Sequence, residues 1–154
     1  MLELLANWPG ATALRMSPVL YPAVNAGHIL GIALLVGPIL ALDARLLGIA
    51  RQMPVQALGP FLSGTAKLGA ALAIATGLML FTVQPANYIA NPAFLAKMAL
   101  LALAILNALL VDRSPAWRRA VAGDEIAAGL RWQAAASIVL WLAVLSAGRW
   151  IGFV

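Results

Sequence analysis

Four long apolar runs constrain the fold of this chain more than any other feature. They cover residues 21–42, 68–84, 92–111 and 132–153, and charged residues fall mainly at or near their ends. A helix rises 1.5 Å per residue, so about twenty apolar residues cross the roughly 30 Å hydrocarbon core of a bilayer. Each run is too long for a strand and too evenly apolar for a half-buried soluble helix. The sequence therefore predicts an all-α fold, an integral membrane four-helix bundle that forms a single domain over residues 1–154.

The composition agrees with a chain whose partner is the lipid bilayer. Apolar residues make up 64% of the chain and charged residues only 10%, whereas soluble domains are about half apolar and a quarter charged. Residues 1–20 are shorter and mixed, with Trp8, Pro9 and Arg15 breaking the apolar pattern. We expect this stretch to be an interfacial segment that lies on the membrane.

The basic residues predict how the chain is oriented. The net charge is +5, but no basic stripe or aromatic–basic platform is present, so a nucleic-acid partner is not expected. Basic residues are concentrated in cytoplasmic loops of membrane proteins. This rule predicts that both basic connections lie in the cytoplasm and both termini on the opposite side of the membrane. Seven basic residues flank or lie in the first-to-second and third-to-fourth connections, against three elsewhere: Arg45, Arg51, Lys67, Arg113, Arg118, Arg119 and Arg131, against Arg15, Lys97 and Arg149.

Charged and aromatic residues at the basic end give two further expectations. The connection 114–130 should carry a short interfacial helix, with Trp117 and Trp132 as anchors in the aromatic belt. The pairs at 43–45 and 112–113 either bind each other, Lys67 or Arg131 and fix the helix register, or face the headgroups as solvated charges. Exposed pairs of this kind contribute only about 0–1 kcal/mol.

The candidate functional residues are the polar side chains inside the spans, because such groups cost free energy in a bilayer. His28 is the only histidine and lies about two turns into the first span. Because the helices alternate in direction, His28, Lys97 and Arg149 fall at a similar depth in the outer leaflet, together with Met79 and Met98.

These five residues together suggest a site for b-type haem. A neutral imidazole is a good axial ligand for haem iron, and the Met79 or Met98 thioether is a candidate second ligand. A homodimer would instead supply a second His28. Lys97 and Arg149 would pair with the haem propionates. The resulting prediction is a haem b protein that serves electron transfer.

Other interpretations remain open for the same residues. Lys97 and Arg149 lie near span ends, where long cationic side chains often extend to the headgroups. His28 would then only hydrogen-bond a neighbouring helix, as we also expect of Thr76, Asn107 and Ser137, and the small residues at 27–31 would serve close helix packing. A chain of that kind would be a non-catalytic subunit or scaffold that packs against a partner membrane protein.

Transport and catalysis have weaker support in the sequence. Copper transport through His28 and the methionines is a third hypothesis, although no M-x-x-M or M-x-M pattern occurs. No acidic residue falls clearly inside a predicted span, which disfavours proton transport by carboxylates. No nucleophile, zinc or phosphate-loop motif is present, so no enzyme class is assigned.

Several local patterns resemble a known family. The chain resembles a family of small, uncharacterised bacterial four-helix membrane proteins. This resemblance implies the same topology and a place in the bacterial inner membrane, which with the predicted orientation puts both termini in the periplasm. A histidine early in the first span and a lysine in an F-x-x-K setting, Phe94 to Lys97, are also similar to the membrane domain of copper-resistance protein D and to the membrane protoporphyrinogen oxidase of haem synthesis. The second resemblance implies haem and porphyrin binding at His28 and Lys97. The patterns that carry the family resemblance are GHILG at 27–31, LDARLLG at 42–48, NPAFLAK at 91–97 and GRWI at 148–151.

Overall fold

The computed structural model describes residues 2–153, without the side chains of residues 2 and 5, and every regular element in that range is helical. Four of the helices, α3, α4, α6 and α8, are long and apolar enough to cross a membrane. The predicted all-α fold with four apolar helices is confirmed. In chain order the elements are α1 (Leu2–Ala6), α2 (Pro9–Met16), α3 (Leu20–Leu47), α4 (Val55–Val83), α5 (Pro85–Ala90), α6 (Pro92–Arg113), α7 (Pro115–Ala122) and α8 (Ala128–Trp150).

Three of the long helices extend several residues beyond the predicted apolar runs, and one of them is α8, which begins at Ala128 rather than at 132. Helix α3 continues past Asp43 to Leu47, and α4 begins at Val55, well before Lys67. A charge ends an apolar run but leaves helix propensity intact, so these residues do not end the helices. The stop of α3 is Gly48, whose φ of 103° fits a left-handed cap that glycine adopts without strain.

Small residues bring α3 and α4 into backbone contact. A Cβ atom added to Gly31 would lie 2.6 Å from the Ala73 amide nitrogen, and one added to Gly69 would lie 2.4 Å from the Leu35 amide nitrogen. Neither position has room for a side chain. The expected close packing of the small residues at 27–31 is therefore confirmed, and it occurs within one chain.

The remaining long helices pack on the other side of α3. Helix α3 also packs on α8, and α8 on α6, around a core that contains Val36, Ala104 and Trp141. Within residues 2–153 no Cα atom of α4 lies within 8 Å of a Cα atom of α6. The four helices therefore leave a groove between α4 and α6, which we call the α4/α6 groove.

Side chains bridge the α4/α6 groove at each end. At the basic end, the Nζ atom of Lys67 lies 3.0 Å from Oδ1 of Asp112. This ion pair confirms the predicted pairing of Lys67 with the charged residues at 112–113. At the other end, the Phe81 and Phe94 rings stack with centroids 5.9 Å apart, and Tyr88 of α5 packs against both. Burial raises the pKa of the Tyr88 phenol, so it stays neutral at physiological pH.

Helix α7 forms as predicted in the 114–130 connection, but the role expected of Trp117 is wrong. Its side chain is only 8% exposed and packs with Leu46 of α3 and Leu130 of α8 in a core at the basic end of the bundle. Gly59 of α4 makes this possible, because a Cβ atom there would lie 2.8 Å from the Trp117 ring. Trp132, in contrast, is exposed.

The N-terminal segment is helical and packs on the bundle. Helix α2 buries Ala11 and Leu14 and packs against α3 and α4. The guanidinium of Arg15 donates a hydrogen bond to the Ala6 carbonyl, which ties α2 to the end of α1. A position in the membrane interface stays a prediction for residues 1–20.

Substitution of Gly69 tests the α3–α4 contact. We expect Gly69→Ala to lose stability by about 1–3 kcal/mol, because the added methyl group overlaps the α3 backbone. Gly64→Ala is the matched control on the same helix, since nothing lies within 4 Å of its Cβ position. Gly64→Ala should be neutral or stabilising by up to about 1 kcal/mol. Denaturation of the purified protein in detergent measures both, and equal effects of the two variants would contradict the contact.

Candidate functional site

His28 lies between α3 and α4, and its hydrogen bonds define its tautomer. The ring is half-buried, and its Nδ1 atom lies 3.0 Å from the Thr76 hydroxyl oxygen. That hydroxyl is 2.6 Å from the Leu72 carbonyl oxygen, to which it donates its only proton. The Thr76 oxygen must therefore accept from His28, so Nδ1 carries the ring proton. In this tautomer Nε2 carries a lone pair rather than a proton, so Nε2 is the atom that a metal ion would bind.

The space for the ring depends on Gly77. A Cβ atom added at this position would lie 3.0 Å from Cε1 of His28 and 3.5 Å from its Nδ1. Even an alanine would therefore force the ring to shift by a few tenths of an ångström. Thr76 and Gly77 together hold the imidazole in one orientation.

Lys97 lies near the start of α6, in the same half of the bundle as His28. Its half-buried side chain lies over Gly148 of α8, whose Cβ position would be 3.6 Å from Cδ and 3.7 Å from Nζ of the lysine. No hydrogen bond or ion pair holds Nζ within residues 2–153. The start of α6 is fixed by Asn91, which caps the helix and donates to the Ile151 carbonyl at 3.2 Å.

The structure does not gather the other three predicted residues around His28. Arg149 is exposed, and its guanidinium carbon lies 4.5 Å from the centroid of the Phe153 ring. Met79 and Met98 are 40% and 45% exposed on the outside of the bundle. Neither sulfur hydrogen-bonds to His28 in the part of the chain that the structure describes. His28 and Lys97 are thus the two of the five predicted residues that are half-buried, whereas the other three are exposed.

A second polar site, which sequence reasoning missed, lies in the basic half of the bundle. Asp43 is only 7% exposed, and its Oδ2 atom has no hydrogen-bond partner. Arg45 does not pair with it, because that guanidinium donates to the carbonyls of Met53 and Arg51 in the following turn. Asp43 lies just beyond the predicted apolar run at 21–42, but it belongs to α3 and lies on the buried face of that helix.

The α4/α6 groove reaches this carboxyl group. A cavity of about 170 Å³ lies there, and the Ser137 hydroxyl is within hydrogen-bonding reach of Asp43. Asn107 donates to the Gln133 carbonyl at 3.2 Å, which leaves its own carbonyl oxygen free to accept. Polar side chains from three other helices line the same cavity: Ser63 and Lys67 of α4, Asn107 and Asp112 of α6, and Ser137 of α8.

The hydrogen-bonding roles expected of the span residues can now be assigned. Thr76 pairs α4 with α3, and Asn107 pairs α6 with α8, as predicted. Among residues 2–153, no three His, Cys, Asp or Glu side chains come together in a way that would hold a metal ion. A metal held only by protein ligands therefore has no assembled site in the described part of the chain.

Comparison with known proteins places the chain in a family. A model described as a family of unknown function, DUF6644, matches residues 17–154. The chain belongs to this family. The match includes all four long helices and therefore His28, Asp43 and Lys97. No curated protein and no solved structure matches the chain. The predicted membership of an uncharacterised family is confirmed, and the similarity to copper-resistance protein D and protoporphyrinogen oxidase stays a prediction.

The tautomer of His28 can be measured directly, since it is the only histidine. We expect ¹⁵N NMR of the purified protein to show a protonated Nδ1 and an unprotonated Nε2. Thr76→Val removes the acceptor, so the signals should move toward a mixture of tautomers. Thr65→Val is the matched control, because that hydroxyl bonds only to the Phe61 carbonyl of its own helix. A spectrum that Thr76→Val leaves unchanged would contradict the assignment.

Proposed function

We propose that this protein is a multi-pass membrane protein of the bacterial inner membrane that binds b-type haem in its outer leaflet and serves electron transfer. The observation that carries the proposal is the 3.0 Å contact between His28 Nδ1 and the Thr76 hydroxyl, which leaves Nε2 as the ring nitrogen with a lone pair. Hydrogen bonding at Nδ1 both orients a histidine ligand and increases its basicity toward a metal.

A single histidine suits haem better than a bare metal ion. The porphyrin itself supplies four nitrogen ligands, so the protein needs to provide only one or two axial groups. Structural zinc takes about four protein ligands, and copper sites also combine several. Haem bound at His28 would supply one-electron redox chemistry, and the chain would contribute its axial ligand and the surrounding charge.

Lys97 supports the same assignment by its charge. A half-buried ammonium group without an ion-pair partner is costly in a medium of low dielectric constant, and an anionic ligand group would offset that cost. A haem propionate has the required charge. Arg149 lies nearer the surface, where it would meet the second propionate after leaving the Phe153 ring. Met79 and Met98 face outward, so they would be second axial ligands only across an interface with another chain.

The two alternatives fit the structure less well. The small residues expected to bind a larger complex include Gly31, which is already packed against Ala73 of the same chain. Copper transport would need several soft ligands close together, whereas the exposed methionines Met79 and Met98 lie on different helices. The haem proposal needs only one protein nitrogen, and Nε2 of His28 is available for that role in the tautomer that Thr76 fixes.

Purification from cells supplied with ample haem tests the proposal. We expect the protein to show a Soret band that His28→Ala abolishes, because iron would lose its protein ligand. Lys97→Gln should weaken haem binding roughly tenfold, the effect of about 1.4 kcal/mol. Lys67→Gln is the matched control, since that lysine pairs with Asp112 at the other end of the bundle. A colourless wild-type protein would overturn the proposal.

The proposed orientation can be tested separately, because the chain contains no cysteine. Asn87→Cys, in exposed α5, should react with a membrane-impermeant maleimide in cells whose inner membrane is intact. Asp124→Cys, exposed after α7 at the basic end, should react only after that membrane is permeabilised. The reverse labelling pattern would place the basic loops outside and the haem site in the inner leaflet.

A further inference from the structure

We propose that Asp43 is a proton-binding site, and that it exchanges its proton through the α4/α6 groove. This site lies in the basic half of the bundle and is independent of the proposed haem site. Nothing in the argument for it depends on His28.

The first step is the burial of the carboxyl group without a compensating cation. The side chain is 93% buried, as the complement of its 7% exposure, and Oδ2 has no hydrogen-bond partner. An isolated carboxylate in an apolar region is so unfavourable that the group takes up a proton instead. A protonated Asp43 is neutral and can itself donate one hydrogen bond.

The charged groups that face Asp43 from the packed helices already have other partners. On α3 itself, Arg45 is bound to the carbonyls of Met53 and Arg51. From α4 and α6, Lys67 and Asp112 neutralise each other at 3.0 Å.

The other two packed helices add no charge. Helix α8 presents the Ser137 hydroxyl, and α7 presents the Trp117 ring. The described part of the chain thus offers no free cation to Asp43. A proton is the positive charge that remains.

The third step is a second unsatisfied group close by. The indole Nε1 of Trp141 is buried and has no hydrogen-bond partner, and Trp141 lies one turn along α8 from Ser137. Buried polar atoms are usually satisfied by protein or by ordered water. Trp141 does not line the cavity at Asp43, but its indole is a second buried polar group of α8 that no described residue satisfies.

Water can reach the Asp43 carboxyl group through the α4/α6 groove. The cavity at Asp43 measures about 170 Å³, which is room for several water molecules. Its walls carry the polar groups that water requires, including Ser63, Asn107 and Ser137. Lys67 and Asp112 lie at its rim and are partly exposed. The groove therefore connects the buried carboxyl group with the basic end of the bundle, where protons can be exchanged.

A hydrophobic carbodiimide tests the site, since this reagent modifies protonated carboxyl groups within membranes. We expect mass spectrometry of the treated wild-type protein at neutral pH to show modification at Asp43, and the yield to fall at least tenfold as pH is raised. Asp112, Asp124 and Glu125 are internal controls that should stay unmodified, because they are exposed to water rather than buried between helices. Asp43→Asn should remove the adduct, while Asp112→Asn should leave it in place.

Two outcomes would overturn the proposal. Absence of modification at Asp43 in the wild-type protein would show that the carboxyl group is ionised or unreachable. Protection of Asp43 by sodium or potassium ions at constant pH would show that the groove binds a metal cation instead. The wild-type experiment needs no substitution, so poor folding of Asp43→Asn does not affect it. Neither the carbodiimide nor the added sodium or potassium ions should change the Soret band. This separates the test of Asp43 from the test of haem binding.

Discussion

Backbone contact between α3 and α4 is the constraint on which the rest of the structure depends. Gly31 and Gly69 allow the two helices to approach until no side chain fits between them. In a bilayer, apolar side chains gain little by leaving lipid, so close van der Waals packing has to hold helices together. The same approach brings Thr76 of α4 within 3.0 Å of His28 of α3. The orientation of the imidazole is therefore a consequence of how two glycines pack.

The pairing of α3 with α4, and of α8 with α6, also explains why the bundle has a groove. Helix α3 contacts α8 as well, but α4 and α6 approach only through side chains. The Phe81–Phe94 stack bridges one end and the Lys67–Asp112 pair bridges the other. An exposed ion pair contributes little stability by itself, about 0–1 kcal/mol. The main effect of this ion pair is that Lys67 and Asp112 neutralise each other, so neither charge is available to the buried groups further inside.

Much of this architecture follows from the sequence, because the signals that determine it are local. Apolar runs of membrane-spanning length identify α3, α4, α6 and α8, and the alternating helix direction places His28 and Lys97 in one leaflet. The partner of His28 was not predictable, since Thr76 lies 48 residues away and many pairings of four helices are compatible with the apolar runs. The same limit applies to Met79 and Met98. Their depth follows from the sequence, but their outward direction depends on helix rotation.

Asp43 shows why a charge at the end of an apolar run is ambiguous. Val36 and Leu46 are buried on α3, and Asp43 lies seven residues after the first and three before the second, so all three share a face. That spacing was a signal of burial, but only the position of α8 shows that the face is covered. Replacing a buried polar group by an apolar one of similar shape is often neutral or stabilising. A leucine would thus have satisfied packing at this position, and the acid leaves Oδ2 unpaired instead. The chain accepts this cost on a buried helix face, and a neutral, protonated carboxyl group is the form in which the cost is smallest.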